Sequence, residues 1–262
     1  MSLAQVVSEV RDRIGSGVCV SLFLDFDGTL VPIEADPTSP RLDPATAETL
    51  KLISSQDCLV TTIISGRAVE DLYTRIRLKG LIYAGNHGLE IFGRRLCFVE
   101  SVASSRRKQL EKLCEQLNAQ LQPIAGSLVE FKGLTASVHY RQVAELRHRT
   151  VERTVRMAVA RTGGLFRLNP GRKVFEIMPD SGWHKGAAVR WINSHIQEEV
   201  LSVYLGDDTS DEEAFRVLPD AITIKVGGAP ITCARYQLPN PTAVHEFLLW
   251  LAIHGASRPR KA

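Results

Sequence analysis

The sequence predicts an α/β protein, a doubly wound parallel sheet with a smaller α+β domain inserted in it. Three observations lead there. Apolar runs of strand length alternate with helical patterns over residues 1–103 and 180–262, as the strands and crossover helices of a parallel sheet do. Several of these runs stop at polar, chemically capable residues, the pattern of a site built along the carboxyl edge of such a sheet. The stretch 104–179 breaks the alternation with an α-β-β-α-β-β order. The expected organisation is therefore a core of 1–103 with 180–262, and an inserted domain of 104–179.

The first run, Val18 to Leu24, reads as a buried strand and ends at Asp25-Phe26-Asp27-Gly28-Thr29. A period of two puts Asp25 and Asp27 on one side, where two carboxylates are costly unless a cation or a reaction uses them. Gly28 permits a sharp turn and Thr29 can cap the next element. Asp and Gly are also ordinary turn residues, so the neighbouring motifs decide the matter. The second run, Cys58 to Ile64, stops at Ser65-Gly66-Arg67 before a helical pattern from Ala68 to Leu72. A hydroxyl and main-chain N–H groups at a helix start form a phosphate cradle.

In the middle stretch, helical spacing over Ser104–Leu121 is followed by strands near Ser127–Lys132 and Ala136–Arg141. A helix near Ala144–Arg161 and strands near Leu165–Leu168 and Lys173–Met178 complete it. Val151, Val155, Ala158 and Val159 form an apolar stripe, and Arg149, Arg153 and Arg156 an opposite, solvated one. After the insertion, Trp183-His184-Lys185-Gly186 opens another helix. Lys185 sits at the unfavourable end of its dipole, which calls for an anionic partner. The run Val200 to Leu205 leads into Gly206-Asp207-Asp208-Thr209-Ser210-Asp211-Glu212-Glu213. Helix capping accounts for Glu212 and Glu213, but Asp207 stands at the strand end, where acids can bind a hard divalent cation. Phe247 to Ile253 is too short to span a bilayer and reads as a terminal helix packed on the core. Ala256 to Ala262 reads as a loose tail.

Composition sets wider bounds. The chain has 262 residues, 44% hydrophobic and 23% charged, as in globular proteins. A net charge of +3 demands no polyanion, and no aromatic residues interleave with the arginines to stack bases. Neither nucleic acid nor membrane is an expected partner. Five cysteines without a Cys-x-x-Cys pair argue against a disulfide framework or a zinc site. Cys19 and Cys58 are read as buried free thiols, and with no secretory leader in the first residues the expected location is cytoplasmic.

Taken together, Asp25-x-Asp27-Gly28-Thr29, Ser65, Lys185 and Gly206-Asp207-Asp208 with Asp211 resemble the haloacid dehalogenase-type phosphatases. The resemblance implies that Asp25 is the nucleophile and Asp27 the general acid and base. It also implies Mg²⁺ held by Asp25, the main-chain carbonyl of Asp27 and Asp207, while Asp208 and Asp211 orient the groups around it. Ser65 and Lys185 would hold the phosphate oxygens. Chemically this is consistent, since an aspartyl-phosphate splits one hard displacement into two easier ones.

Further segments are similar to the trehalose-6-phosphate phosphatases across nearly the whole chain: Tyr83–Ile91, Glu130-Phe131-Lys132, Ser137–Arg141, Gly171–Pro179 and Trp183–Gly186. This narrower resemblance implies a phosphorylated disaccharide as substrate. Glu130, Lys132, Arg141, Lys173 and Glu176 would read the sugar, and Arg67, Asn86, His87 and Glu90 would line the core side of the pocket. His87 is given no proton-transfer role, and His139 and Tyr140 are read as packing residues. The inserted domain would be a mobile cap whose closure excludes water. Two departures stand out: Met178 where the family has Arg, and Ser210 where Thr is commoner. Other readings stay open. They are a phosphatase of sucrose phosphate or a glycosyl-phosphoglycerate, a phosphomutase, and a non-catalytic sugar-phosphate sensor or subunit that supports a trehalose-phosphate synthase.

Overall fold

The computed structural model describes residues 3–34, 36, 39–171, 173–196, 199–228 and 231–255. The expected tail, 256–262, lies outside the described residues. The chain divides into two compact units, one of residues 1–98 with 184–262 and the other of 99–183. The expected boundaries fall a few residues inside the second unit at each end.

The first unit contains an eight-stranded sheet. Its strands are β1 (Cys19–Leu24), β2 (Leu59–Ile64), β3 (Ile82–Gly85), β4 (Glu90–Gly93), β5 (Leu96–Val99), β10 (Val200–Gly206), β11 (Ile222–Val226) and β12 (Tyr236–Leu238). They lie in the order β12-β11-β10-β1-β2-β3-β4-β5. From β12 to β3 all pairs are parallel, whereas β4 returns antiparallel to β3. The sheet is parallel as expected except at this edge, where only a short turn joins β3 to β4 and leaves no length for a crossover. Every residue of β1 is buried, as for a central strand covered on both faces. From β1 the chain winds outward through β2 and β3, and later from β10 outward through β11 and β12. β1 and β10 are neighbours, so their carboxyl ends mark the point where the winding reverses.

Helices of this unit are α1 (Leu3–Gly15), α2 (Pro44–Ser54), α3 (Val69–Ile76), α7 (Lys185–Ser194), α8 (Thr209–Val217) and α9 (Pro241–His254). The terminal run packs as expected, with Val244, Phe247, Leu248 and Leu251 of α9 buried in the main core. No helix among the described residues is long and apolar enough to cross a membrane. Two local expectations change. Thr29 caps no helix: it is buried, and the next helix, α2, is capped by Asp43, whose carboxylate accepts from the N–H groups of Ala45 and Thr46. Cys19 and Cys58 are not free thiols but a disulfide, their Cα atoms 4.7 Å apart. Cys19 begins β1 and Cys58 immediately precedes β2, so the parallel ladder brings them within bridging range, which an odd cysteine count does not prevent. The bond removes the thiol argument for a reducing compartment.

The second unit holds α4 (Ser101–Ser105), α5 (Arg107–Leu121), β6 (Leu128–Phe131), β7 (Ala136–His139), α6 (His148–Ala160), β8 (Phe166–Gly171) and β9 (Val174–Pro179). The single expected helix over 104–121 is two, because Arg106 leaves helical geometry and donates to the carbonyls of Leu165 and Asp180. The strands form an antiparallel sheet, β6-β7-β9-β8. One face, with Val138, Phe175, Ile177 and Phe166, packs on Leu113 and Leu117 of α5 and Val151 and Val155 of α6. Arg149, Arg153 and Arg156 are exposed on α6, as the stripe pattern requires.

One close approach fixes the loop after β2. A Cβ on Gly85 would lie 2.4 Å from Val69 N and 2.8 Å from Arg67 O, both main chain. Gly85→Ala should destabilise the protein by about 1–3 kcal/mol through overpacking. A fall in the urea midpoint at constant slope would register it, and an unchanged midpoint would show that this loop yields freely.

Candidate active site

At the carboxyl end of β1, Asp25 extends the ladder by one bond, its N–H donating to Leu205 O of β10 at 3.0 Å. Its carboxylate is buried. α7 begins at Lys185, capped by His184, whose Nδ1 accepts from Ala187 N. This start aims the Lys185 ammonium at two acids: Nζ donates to Asp25 Oδ1 at 2.8 Å and to Asp211 Oδ1 at 2.7 Å. The anionic partner that its helix position calls for is thus double. Asp211 is fully buried in α8. Its Oδ1 also accepts from the Tyr204 hydroxyl at 2.8 Å, and its Oδ2 from Asp208 N at 2.9 Å. Asp208 itself caps α8, its side chain accepting from Thr209 N.

Asp207 is placed differently. Oδ1 of Asp207 is buried and makes no hydrogen bond within the chain. Asp25, Asp207 and Asp211 can each offer a carboxylate oxygen so that all three lie within 4.8 Å of one another. Because both oxygens of Asp211 already accept hydrogen bonds, Asp25 and Asp207 have the freer lone pairs. An orphaned carboxylate oxygen beside a second carboxylate fits a hard cation such as Mg²⁺. Gly28 has φ +87°, and a Cβ there would stand 2.1 Å from Asp207 Oδ2, so glycine is needed for conformation and for space.

Burial dominates the electrostatics. It pushes the Asp25 carboxyl well above its usual range, Lys185 opposing and Asp211 and Asp207 adding to the rise. Burial, then Asp211 and Asp208, push Asp207 up to about 7. Lys185 stays charged despite its burial because Asp211 and Asp25 surround it. Lys225 of β11 donates to the main-chain carbonyl of Asp207, and its ammonium lies 3.6 Å from Glu212. Sequence reading passed over Tyr204 and Lys225. Both had a signal, since a Tyr or Lys inside an otherwise apolar, buried run must find a polar partner.

Asp27 turns to Arg67 and receives two bonds, from Nε at 2.6 Å and Nη2 at 2.7 Å. Ser65 follows β2, its N–H donating to Ala84 O and its hydroxyl accepting from Arg67 N at 3.3 Å. The helix begins where its pattern does: Ala68 is the N-cap of α3, three residues after Ser65, and the N–H of Val69 is taken by the Glu90 carboxylate at 2.8 Å. The same Glu90 oxygen accepts from the Asn86 amide at 2.7 Å. Asn86 and His87, both buried, have φ of 49° and 59°, a left-handed pair that non-glycine residues rarely adopt. Main-chain bonds from Asn86 to Arg67 O and from His87 to Ser65 O hold it.

In the second unit, Glu130, Ser137, Glu176 and Asn169 are in register across all four strands, on the face opposite the core. Lys132 pairs with Glu176 at 3.2 Å, and Ser137 also donates to Glu176. His139 lies on this face too, 2.9 Å from Glu130, whereas Tyr140 stacks on Phe175 as a packing residue. Met178, buried, lies opposite Arg167, and its sulfur accepts from Asn169. Arg141 and Lys173 are exposed beyond the row, Lys173 with φ 64° and its ammonium 3.3 Å from His148.

Comparison with known proteins shows the family. The family model of the trehalose-phosphatases matches residues 23–236. A trehalose-phosphate phosphatase of Mycobacterium tuberculosis is 34% identical over 252 residues, 92% of this chain and 63% of that protein. The chain thus spans less than two thirds of the mycobacterial relatives' length. Trehalose 6-phosphate phosphatase RA3 of Zea mays is 34% identical over 265 residues, 93% of this chain and 73% of that one. The C-terminal domain of Candida albicans trehalose-6-phosphate phosphatase has the same fold, with a TM-score of 0.79 at 21% identity, over 96% of this chain and 97% of that one. Since the matched span runs from β1 to β12 and takes in both the acidic centre and the polar sheet face, the chain belongs to the trehalose-phosphatase family.

Proposed function

We propose that the protein hydrolyses trehalose 6-phosphate to trehalose and phosphate through an aspartyl-phosphate on Asp25, with Mg²⁺ as cofactor. The observation that carries the reading is the Lys185 ammonium seated between Asp25 and Asp211 beside the orphaned oxygen of Asp207. Three clustered carboxylates outweigh one ammonium, so the centre favours added positive charge. Asp25, Asp207 and the main-chain carbonyl of Asp27 would hold Mg²⁺, which when bound would ease the approach of carboxylate to phosphate.

The chain's own groups then divide the work. A carboxylate oxygen of Asp25 attacks phosphorus, and the bond from phosphorus to the sugar oxygen breaks. Asp27 gives its proton to that oxygen as it leaves. In the second step Asp27 takes a proton from water attacking phosphorus, and phosphate departs from Asp25. Lys185 and the Ser65 hydroxyl would hold phosphate oxygens as charge shifts. The in-register row of Glu130, Ser137, Glu176 and Asn169, with Lys132, supports sugar recognition by the second unit, because a polyol needs many donors and acceptors. A silent sensor would have no use for the complete set of Asp25, Asp27, Lys185 and Asp207.

Phosphate release from trehalose 6-phosphate, beside sucrose 6-phosphate, glucose 6-phosphate and glucosyl-phosphoglycerate, tests the reading. The trehalose ester should be preferred, EDTA should abolish turnover, and Asp25→Asn should lower it by about a thousandfold or more. Preference for another ester would reassign the sugar, and no release from any would support the sensor.

A second expectation concerns pH. Without metal, folded Asp207 keeps its proton up to about 7, whereas the unfolded chain releases it near the ordinary 3.8. Between these values the folded state binds more protons, so this group's contribution to stability falls as pH rises. Cation binding selects the ionised form. The increase in Tm on replacing EDTA with excess Mg²⁺ should therefore grow from pH 5 to about pH 7.5. An increment that does not change with pH would count against Asp207 as a ligand.

A further inference from the structure

Arg67, expected from the family resemblance to touch substrate, spends its guanidinium on its own chain. Two of its nitrogens grip both oxygens of Asp27, at 2.6 and 2.7 Å, and the third, Nη1, donates to Asp71 Oδ2 at 2.9 Å. Asp71 in turn accepts from Arg75 Nε through both oxygens at 2.9 Å, and Arg75 Nη1 donates to Pro40 O at 2.7 Å. Charges alternate along this line, Asp27, Arg67, Asp71, Arg75, and it ends on a main-chain carbonyl. Asp71 and Arg75 are one helical turn apart on α3, and Arg67 stands four residues before Asp71. The arginines are the buried members, their side chains 12% and 7% exposed, while Asp27 and Asp71 are 35% and 37% exposed.

The geometry constrains Asp27 more than it neutralises it. A carboxylate on a surface loop samples several χ1 wells. A planar fork gripping both of its oxygens selects one position and one plane, which a point-charge ammonium cannot do. Burial opposes the charge of Arg67, yet Asp27 and Asp71 more than restore it, so the fork stays ionised. Its own orientation is fixed in turn by Asp71, which Arg75 anchors to the loop at Pro40.

We propose that Arg67, backed by Asp71 and Arg75, is a positioning residue that aims the Asp27 carboxyl at the leaving oxygen. The inference rests on the proposed acid role of Asp27 and adds the group that delivers it. It also specifies which step is affected. A sugar alkoxide is a poor leaving group and needs the proton, whereas p-nitrophenolate leaves without one. The value of kcat/KM reports only the steps up to transfer of phosphorus to Asp25, so a misaimed Asp27 lowers it for the sugar ester alone.

The test measures kcat/KM for trehalose 6-phosphate and for p-nitrophenyl phosphate in Asp27→Asn, Arg67→Lys, Asp71→Asn and Arg75→Lys. The aryl ester also counts correctly folded sites, so partial unfolding cancels in the ratio. Under the proposal the ratio of sugar to aryl kcat/KM falls on the order of tenfold in Arg67→Lys and Asp71→Asn, in the same direction as in Asp27→Asn. Arg75→Lys follows by a smaller factor. An equal fall for both esters would reduce the line to a structural role and overturn the proposal. So would a raised KM for trehalose 6-phosphate at constant kcat, which would make Arg67 a substrate contact. If Asp27→Asn leaves the ratio unchanged, the acid role of Asp27 fails and takes the inference with it. If Asp27→Asn discriminates and Asp71→Asn does not, the inference fails alone.

Discussion

The buried ammonium of Lys185 is the constraint on which the rest of the first unit depends. Two carboxylates, from the end of β1 and the first turn of α8, meet on one nitrogen at 2.8 and 2.7 Å, and all three groups are buried. Taking such charges from water costs several kcal/mol per ion, and a well-packed apolar substitute is often as stable or more so. Removing only one partner would strand the others. A cluster of this kind is poor evidence for stability and good evidence for chemistry, because its remaining negative imbalance is what a divalent cation would correct. Tyr204 sharpens the point. Its ring packs against Phe23 and Phe215, and its hydroxyl donates to Asp211 and so fixes the carboxylate that fixes Lys185.

Sheet topology explains why these residues meet. Asp25 and Asp207 follow adjacent strands that the chain reaches about 180 residues apart, and both strands end where the winding reverses. Short loops then suffice to present the acids, each pinned by main-chain bonds. Gly28 N donates to Val31 O, and Lys225 holds the carbonyl of Asp207. Across β1 from this edge, the Cys19–Cys58 bond ties the entrance of β1 to that of β2. The strand that leads to Asp25 is held at both ends.

What the sequence made legible was whatever depends on local order along the chain. Buried strands, the motifs that end them and the change of pattern in the middle stretch could all be read from periodicity and residue type. The pairings across the fold could not. The partner of Cys58 depends on which strands are neighbours, and the antiparallel return at β4 depends on the length of one turn. Likewise the carboxylate that takes the first N–H of α3 comes from Glu90, twenty-one residues beyond Val69, which no local pattern announces. Arg67 stood out in the sequence, but of the groups it bonds, Asp71 is suggested only by its four-residue spacing and Asp27 by nothing local.

The polar face of the second unit has a character of its own. Its polar groups largely have partners within the sheet, Lys132 with Glu176 and His139 with Glu130, beside the neutral Ser137 and Asn169. The face offers carboxylate oxygens, an ammonium, a hydroxyl and an amide in one row, and these can exchange partners with hydroxyl groups at small electrostatic cost. Such exchange suits the polyol of the proposed substrate. Met178, buried opposite Arg167 and accepting from Asn169 through its sulfur, adds no charge of its own to that row.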